Sequence, residues 1–127
     1  MLEPIFKEAT KITPEVKLDK ENEVFEITGR SLPEDVIKFY SDIRTWIKSY
    51  CQDPNPSTIF KFQLDYFNSS SARLLVKILI DLETILQSGK NIKVIWYYQA
   101  DDDVIKSRGY EIKSVVLLPF EVRPLEN

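Results

Sequence analysis

From Thr58 to Tyr98 the sequence changes its periodicity twice, and this switching limits the fold more than any other feature. "TIFKFQLDYF" (58–67) is dense in β-branched and aromatic residues, as a strand requires. From about Ser70 to Gln87 apolar residues recur at three and four, the spacing of one helix face. "NIKVIWYY" (91–98) reads as a strand again, after Gly89 supplies a helix-ending C′ glycine. Strand, helix and strand in succession imply right-handed crossovers and parallel pairing.

The flanking segments extend this pattern. "KITPEVKLD" alternates Ile12, Val16 and Leu18 with polar residues, and "VFEITG" follows after a polar turn. The two runs predict an antiparallel hairpin. "SLPEDVIKFYSDIRTWIKSYC" predicts a helix with Ser31 as N-cap, Pro33 in the first turn and Glu34 completing a capping box. Its apolar face is Val36, Phe39, Tyr40, Ile43, Trp46, Ile47 and Tyr50, and "QDPNPS" ends it. "DDDVIKSRG" predicts a short helix or turn, and "EIKSVVLLPFEVR" a last strand whose Pro119 suits a sheet edge. The expected order is β-β-α-β-α-β-α-β. The 127 residues match one α/β domain, 1–127, with a mixed, mostly parallel sheet.

Composition removes several classes of function. The chain has no histidine and a single cysteine, Cys51. Histidine triads, histidine-ligated metals and cysteine-rich zinc sites are excluded. A net charge of −3 lacks the basic footprint of nonspecific nucleic-acid binding and gives no attraction to an anionic membrane. No apolar run approaches a membrane span, and the N-terminal segment lacks the apolar core of a signal peptide. Cytoplasmic residence is the expectation.

One joint carries more polar residues than a helix start needs: "YFNSSSARLL", Tyr66 to Leu75. In parallel sheets the loops after the strands gather on one edge, where ligands and partners bind. Thr28–Ser31, Phe67–Ser71 and Tyr98–Asp103 are expected on that edge. The expected partner surface takes Gly29, Arg30 and Ser31 from the first loop. Phe67, Asn68, Ser70 and Ser71 come from the second, Arg73, Leu74 and Lys77 from the helix behind it, and Tyr98 from the third. Asn68 or Ser69 suffices as a cap. A spare serine hydroxyl at a helix N-terminus suits phosphorylation, because free N–H groups and the helix dipole accept an anion. The following helix is apolar over more than half its circumference. A neighbouring helix or a partner would cover the excess.

Each remaining residue has a plainer reading beside a functional one. Arg30 faces the loop or is simply an exposed arginine. Asp101, Asp102 and Asp103 are a cation site or, more simply, a helix N-terminus. Trp96, Tyr97 and Tyr98 stack a ligand or fill a core. Cys51 packs at the end of the first helix. A constitutive interaction module and a small-molecule site, or carboxylate enzyme, on the same edge stay open as alternatives to a phosphorylation switch.

"TPEV", "ITGRSLPED", "LDYFNSSS", "VIWYYQADDD" and "LPFEV" together resemble, in order and spacing, the SiaC family of bacterial regulatory phosphoproteins. That family is similar in fold and logic to STAS-type anti-sigma factor antagonists. The resemblance implies a non-catalytic domain without a cofactor. It implies phosphorylation by a serine/threonine kinase in the Asn-Thr/Ser-Ser-Ser loop and reversal by a metal-dependent phosphatase. The unphosphorylated form would bind a diguanylate cyclase linked to biofilm behaviour. The family's acceptor position falls on Ser69, where threonine is usual, with Ser70 as the second choice.

Overall fold

Alternation along the central strand decides where the layers lie. In β4 (Ser57–Phe67), Thr58, Phe60, Phe62 and Leu64 are buried, whereas Ile59 and Asp65 are exposed. One face of the sheet is therefore apolar, and the helices cover that face. The computed structural model describes residues 2–126. Before β4 come β1 (Ile5–Lys7), β2 (Glu15–Asp19), β3 (Val24–Ser31) and α1 (Val36–Gln52). After it come α2 (Ser69–Gln87), β5 (Asn91–Tyr98), α3 (Asp103–Lys113) and β6 (Phe120–Pro124).

The six strands lie in sequence order, with β1–β2–β3 antiparallel and β3 through β6 parallel. Right-handed crossovers between successive neighbours place α1, α2 and α3 on the same side. The core follows this layering. Phe25 packs on Trp46 and Tyr50 of α1, and Trp96 on Phe62, Phe67 and Phe120. The other face is polar. Across β2, β3 and β4 the register aligns Lys17 with Glu26 and Glu26 with Lys61, alternating charges that favour this pairing. The architecture agrees with the α/β, STAS-like expectation. Among the described residues no helix is long and apolar enough to cross a membrane.

Several local expectations are corrected. The strand β1 was not anticipated; three residues pairing with β2 leave too short a pattern to read. The α1 cap is Asp35, whose carboxylate accepts the Lys38 N–H at 3.1 Å. Ser31 is the last residue of β3 and is fully buried, so its hydroxyl cannot also cap a helix starting five positions later. In β4 the pairing slips between Gly29 and Arg30, and this bulge reverses the alternation. Tyr66 is 47% exposed and Phe67 only 2%.

The last strand begins at Phe120, because α3 continues through Gly109 to Lys113. Gly109 does not break the helix; it lets it approach the sheet. A Cβ there would collide with the Trp96 indole, whose Nε1–H donates to the Ile105 carbonyl at 3.0 Å. Replacing Gly109 with Ala should therefore destabilise the protein despite alanine's better helix propensity. The expected loss is about 1–3 kcal/mol from overpacking, seen as a lower urea midpoint with an unchanged m-value.

Candidate functional site

The four polar residues of the joint divide into three roles. Asn68 is the N-cap of α2: its Oδ1 accepts the Ser71 N–H at 2.9 Å. Ser71 is fully buried, and its hydroxyl donates to the Ser31 carbonyl at 2.8 Å. Ser69 and Ser70 are exposed, and no side-chain hydrogen bond occupies either hydroxyl among the described residues.

Beneath them lies a buried relay of hydroxyls. Ser31 Oγ donates to Ser71 Oγ at 2.8 Å and lies 2.6 Å from Tyr40 Oη. Each hydroxyl has one proton to give. Ser71 spends its proton on the Ser31 carbonyl and Ser31 spends its own on Ser71, so Tyr40 must donate to Ser31. The Ser31 carbonyl also accepts the Asn68 N–H at 3.2 Å. One strand end, the first turn of α2 and the first half of α1 are thus tied together by direct hydrogen bonds. Burial drives the Tyr40 phenol up to about 12, against a smaller lowering by its bond to Ser31.

The structure redraws the expected contact surface. Ser31, Phe67, Ser71, Leu74 and Tyr98 are all buried, each at most 9% exposed, so they shape the surface from beneath and offer a partner little to touch. Gly29 sits at φ +118 beside the Pro14 backbone. Arg30 is exposed, and its guanidinium lies over the Tyr66 ring at 5.6 Å. It makes no polar contact with Ser69 or Ser70 among the described residues. The ends of β3 and β4 do meet at the joint. The Tyr98–Asp103 loop makes no hydrogen bond to it; Asp102 caps α3 by accepting the Ile105 N–H at 3.0 Å. Trp96 is fully buried, a core residue. Arg73 and Lys77 are exposed on α2, four and eight residues after Ser69.

The apolar excess of α2 is largely covered by α1 and the sheet: Leu74, Leu75, Ile78, Leu79, Leu82 and Ile85 are buried. Arg44 reaches across to Asp81 at 3.2 Å, and Cys51 donates to the Asp81 carbonyl at 3.4 Å. Its thiol is pushed up by burial. Two contributors escaped sequence reading. Tyr40 looked like one more apolar helix residue. Arg108 lay in an unremarkable polar run, yet its guanidinium sits 4.5 Å from the centre of the Phe67 ring.

Residues 7–125 match the family model described as the SiaC family regulatory phosphoprotein. The chain belongs to the SiaC family. An uncharacterized protein of Pseudomonas aeruginosa strain UCBPP-PA14 is 23% identical over 114 residues, covering 90% of each chain. Apo-SiaC of Pseudomonas aeruginosa is similar in structure, with a TM-score of 0.87 at 21% identity over 95% of this chain and 98% of that one. A crystal structure of the diguanylate cyclase SiaD with its activator SiaC, from the same organism, matches with a TM-score of 0.88 at 21% identity, covering 95% of this chain and 99% of that one. These likenesses establish that the SiaC fold is kept although most side chains differ.

The roles assigned to the serines are separable by mutation. Ser71→Ala should cost about 1–3 kcal/mol, since it strands buried donors and acceptors, whereas Ser69→Ala should stay within about 0.5 kcal/mol. Chemical denaturation of both variants measures the difference. Tyr40 adds a pH signature. Its folded pKa near 12 exceeds the unfolded value of about 10. The stability it contributes is complete below pH 10 and is lost as pH rises toward 12. Tyr40→Phe should be about 1 kcal/mol less stable at neutral pH and should lose less stability across that alkaline window. Urea midpoints from pH 8 to 11 test both statements.

Proposed function

We propose that this chain is a non-enzymatic, phospho-switched regulator, a single cytoplasmic domain spanning residues 1–127. Unphosphorylated, it binds and controls a diguanylate cyclase. A serine/threonine kinase places phosphate on Ser69, and a metal-dependent phosphatase removes it. The observation carrying this reading is the division of labour at the joint. Ser69 is exposed at the first position of α2, while the cap and the buried bond that fix the turn belong to Asn68 and Ser71. A phosphate on Ser69 meets free N–H groups and the positive end of the helix dipole, worth about 0.3–1 kcal/mol. The fold therefore tolerates it. A partner packed against the same turn does not, because burying an unpaired charge costs several kcal/mol, and each 1.4 kcal/mol is about a tenfold change in affinity.

Family membership supports the regulatory role. The complex of SiaC with the cyclase SiaD in Pseudomonas aeruginosa makes a cyclase the natural class of partner here. A constitutive binder would need no free hydroxyl at this position.

Phosphopeptide mapping of the chain from its own cells, on surfaces and in suspension, tests the switch. Phosphate is expected on Ser69, with occupancy that changes between conditions, and none on Ser71. Unmodified peptides across residues 66–77 in both conditions would return the joint to simple helix capping.

A further inference from the structure

The face of the sheet away from the helices carries a concave site of its own. A depression of about 320 Å³ is lined there by Glu26 and Thr28 of β3, Lys61 and Gln63 of β4, Tyr97 of β5, and Leu125 just after β6. Register explains the grouping. Glu26 is aligned with Lys61 and Thr28 with Gln63, and the β4–β5 pairing, continued by one residue, sets Tyr97 beside Gln63. Leu125 is drawn in because its N–H donates to the Tyr98 carbonyl at 2.8 Å. All six residues are half-buried. The nearby charges on this face are already paired: Lys17 with Glu15, and both Lys93 and Arg123 with Glu121. The Glu26 carboxylate and the Lys61 ammonium make no ion pair among the described residues. Nor do the Thr28 and Tyr97 hydroxyls or the Gln63 amide make a side-chain hydrogen bond among those residues. Ile95, aligned with Lys61 and Glu121 on this helix-free face, is only 5% exposed. Neighbouring side chains therefore shelter part of the face from water.

We propose that this depression binds an apolar α-amino acid in its zwitterionic form. Aligned residues on neighbouring strands lie about 4.8 Å apart, so Glu26 and Lys61 present opposite charges side by side. An α-amino acid carries the complementary pair on one carbon. Its carboxylate meets the Lys61 ammonium and its ammonium meets the Glu26 carboxylate, both as charge-assisted hydrogen bonds. A simple anion or cation satisfies only one of the two. Closing Glu26 and Lys61 on each other would gain these partly solvated side chains little, so a ligand loses little by keeping them apart. Thr28, Gln63 and Tyr97 supply further hydrogen bonds, and the Leu125 side chain and the Tyr97 ring offer an apolar wall. The volume lies at the small end of ligand pockets, which suits an amino acid and not a nucleotide. The site shares no residue with the joint around Ser69, so it stands or falls apart from the phospho-switch reading.

Amide NMR spectra of the full chain, titrated with L-leucine and separately with L-phenylalanine, decide it. Saturable shifts are expected at Thr28, Gln63 and Tyr97 with at least one of the two. Two analogues of leucine define the class of ligand: isocaproate lacks the ammonium and isoamylamine lacks the carboxylate. Each should bind about tenfold more weakly than leucine, as loss of one hydrogen-bonded charge implies. Glu26→Gln and Lys61→Met should weaken the amino acid to a similar degree, whereas Lys61→Arg, which keeps the charge, should retain most of the binding. Unchanged unfolding temperatures establish that the three variants are folded. No saturable shift with either amino acid overturns the site. Isocaproate or isoamylamine binding as well as leucine overturns the zwitterion. Undiminished binding by both Glu26→Gln and Lys61→Met overturns the assignment to this depression.

Discussion

The candidate site depends on one buried tie, the chain of hydroxyls from Tyr40 through Ser31 to Ser71. It joins α1, the end of β3 and the first turn of α2 at a point where none of the three hydroxyl-bearing residues is reached by solvent. Buried hydroxyls are costly unless paired, and here each proton has one place to go. The arrangement therefore specifies a position for the α2 N-terminus as well as contributing stability. With that position fixed by Ser71 and Asn68, the intervening serines are free of structural duty. The proposed phosphate on Ser69 would act on a surface whose foundation lies elsewhere.

The bulge in β4 serves the same end. Had the alternation of Phe60, Phe62 and Leu64 continued, Tyr66 would face the helices and Phe67 the open side. The slip at Gly29/Arg30 reverses this, puts Phe67 into contact with Trp96 and aligns Ser31 with Phe67 across the two strands. Asn68 can then bond the Ser31 carbonyl. The tie, the bulge and the cap depend on one another's register, and a single-residue shift would separate the hydroxyls.

Much of this was legible in the sequence, and the failures have physical causes. The central strands and both long helices follow from periodicity, because each is long and half of it faces a core. The family resemblance was read from five short motifs, and the family model matches residues 7–125. The Ser31 cap was misread because serine two positions before a proline suits both a helix start and a strand end; only its neighbours on the helices, Tyr40 of α1 and Ser71 of α2, decide between them. The third helix was read as ending at Gly109 because the sequence does not show the indole against which this glycine packs. The buried state of Leu74 and Ser71 was hidden for the same reason: helical spacing says which residues share a face, but not which faces are covered.

Amide hydrogen exchange across the first turn of α2, compared between the unmodified chain and one carrying phosphoserine at position 69, tests the central claim most directly. If the hydroxyl tie fixes the turn independently of Ser69, protection at Ser71 and Ala72 persists after phosphorylation, and the switch lies in surface charge. Loss of protection there on phosphorylation would show that the phosphate works by melting the helix start, contradicting the account.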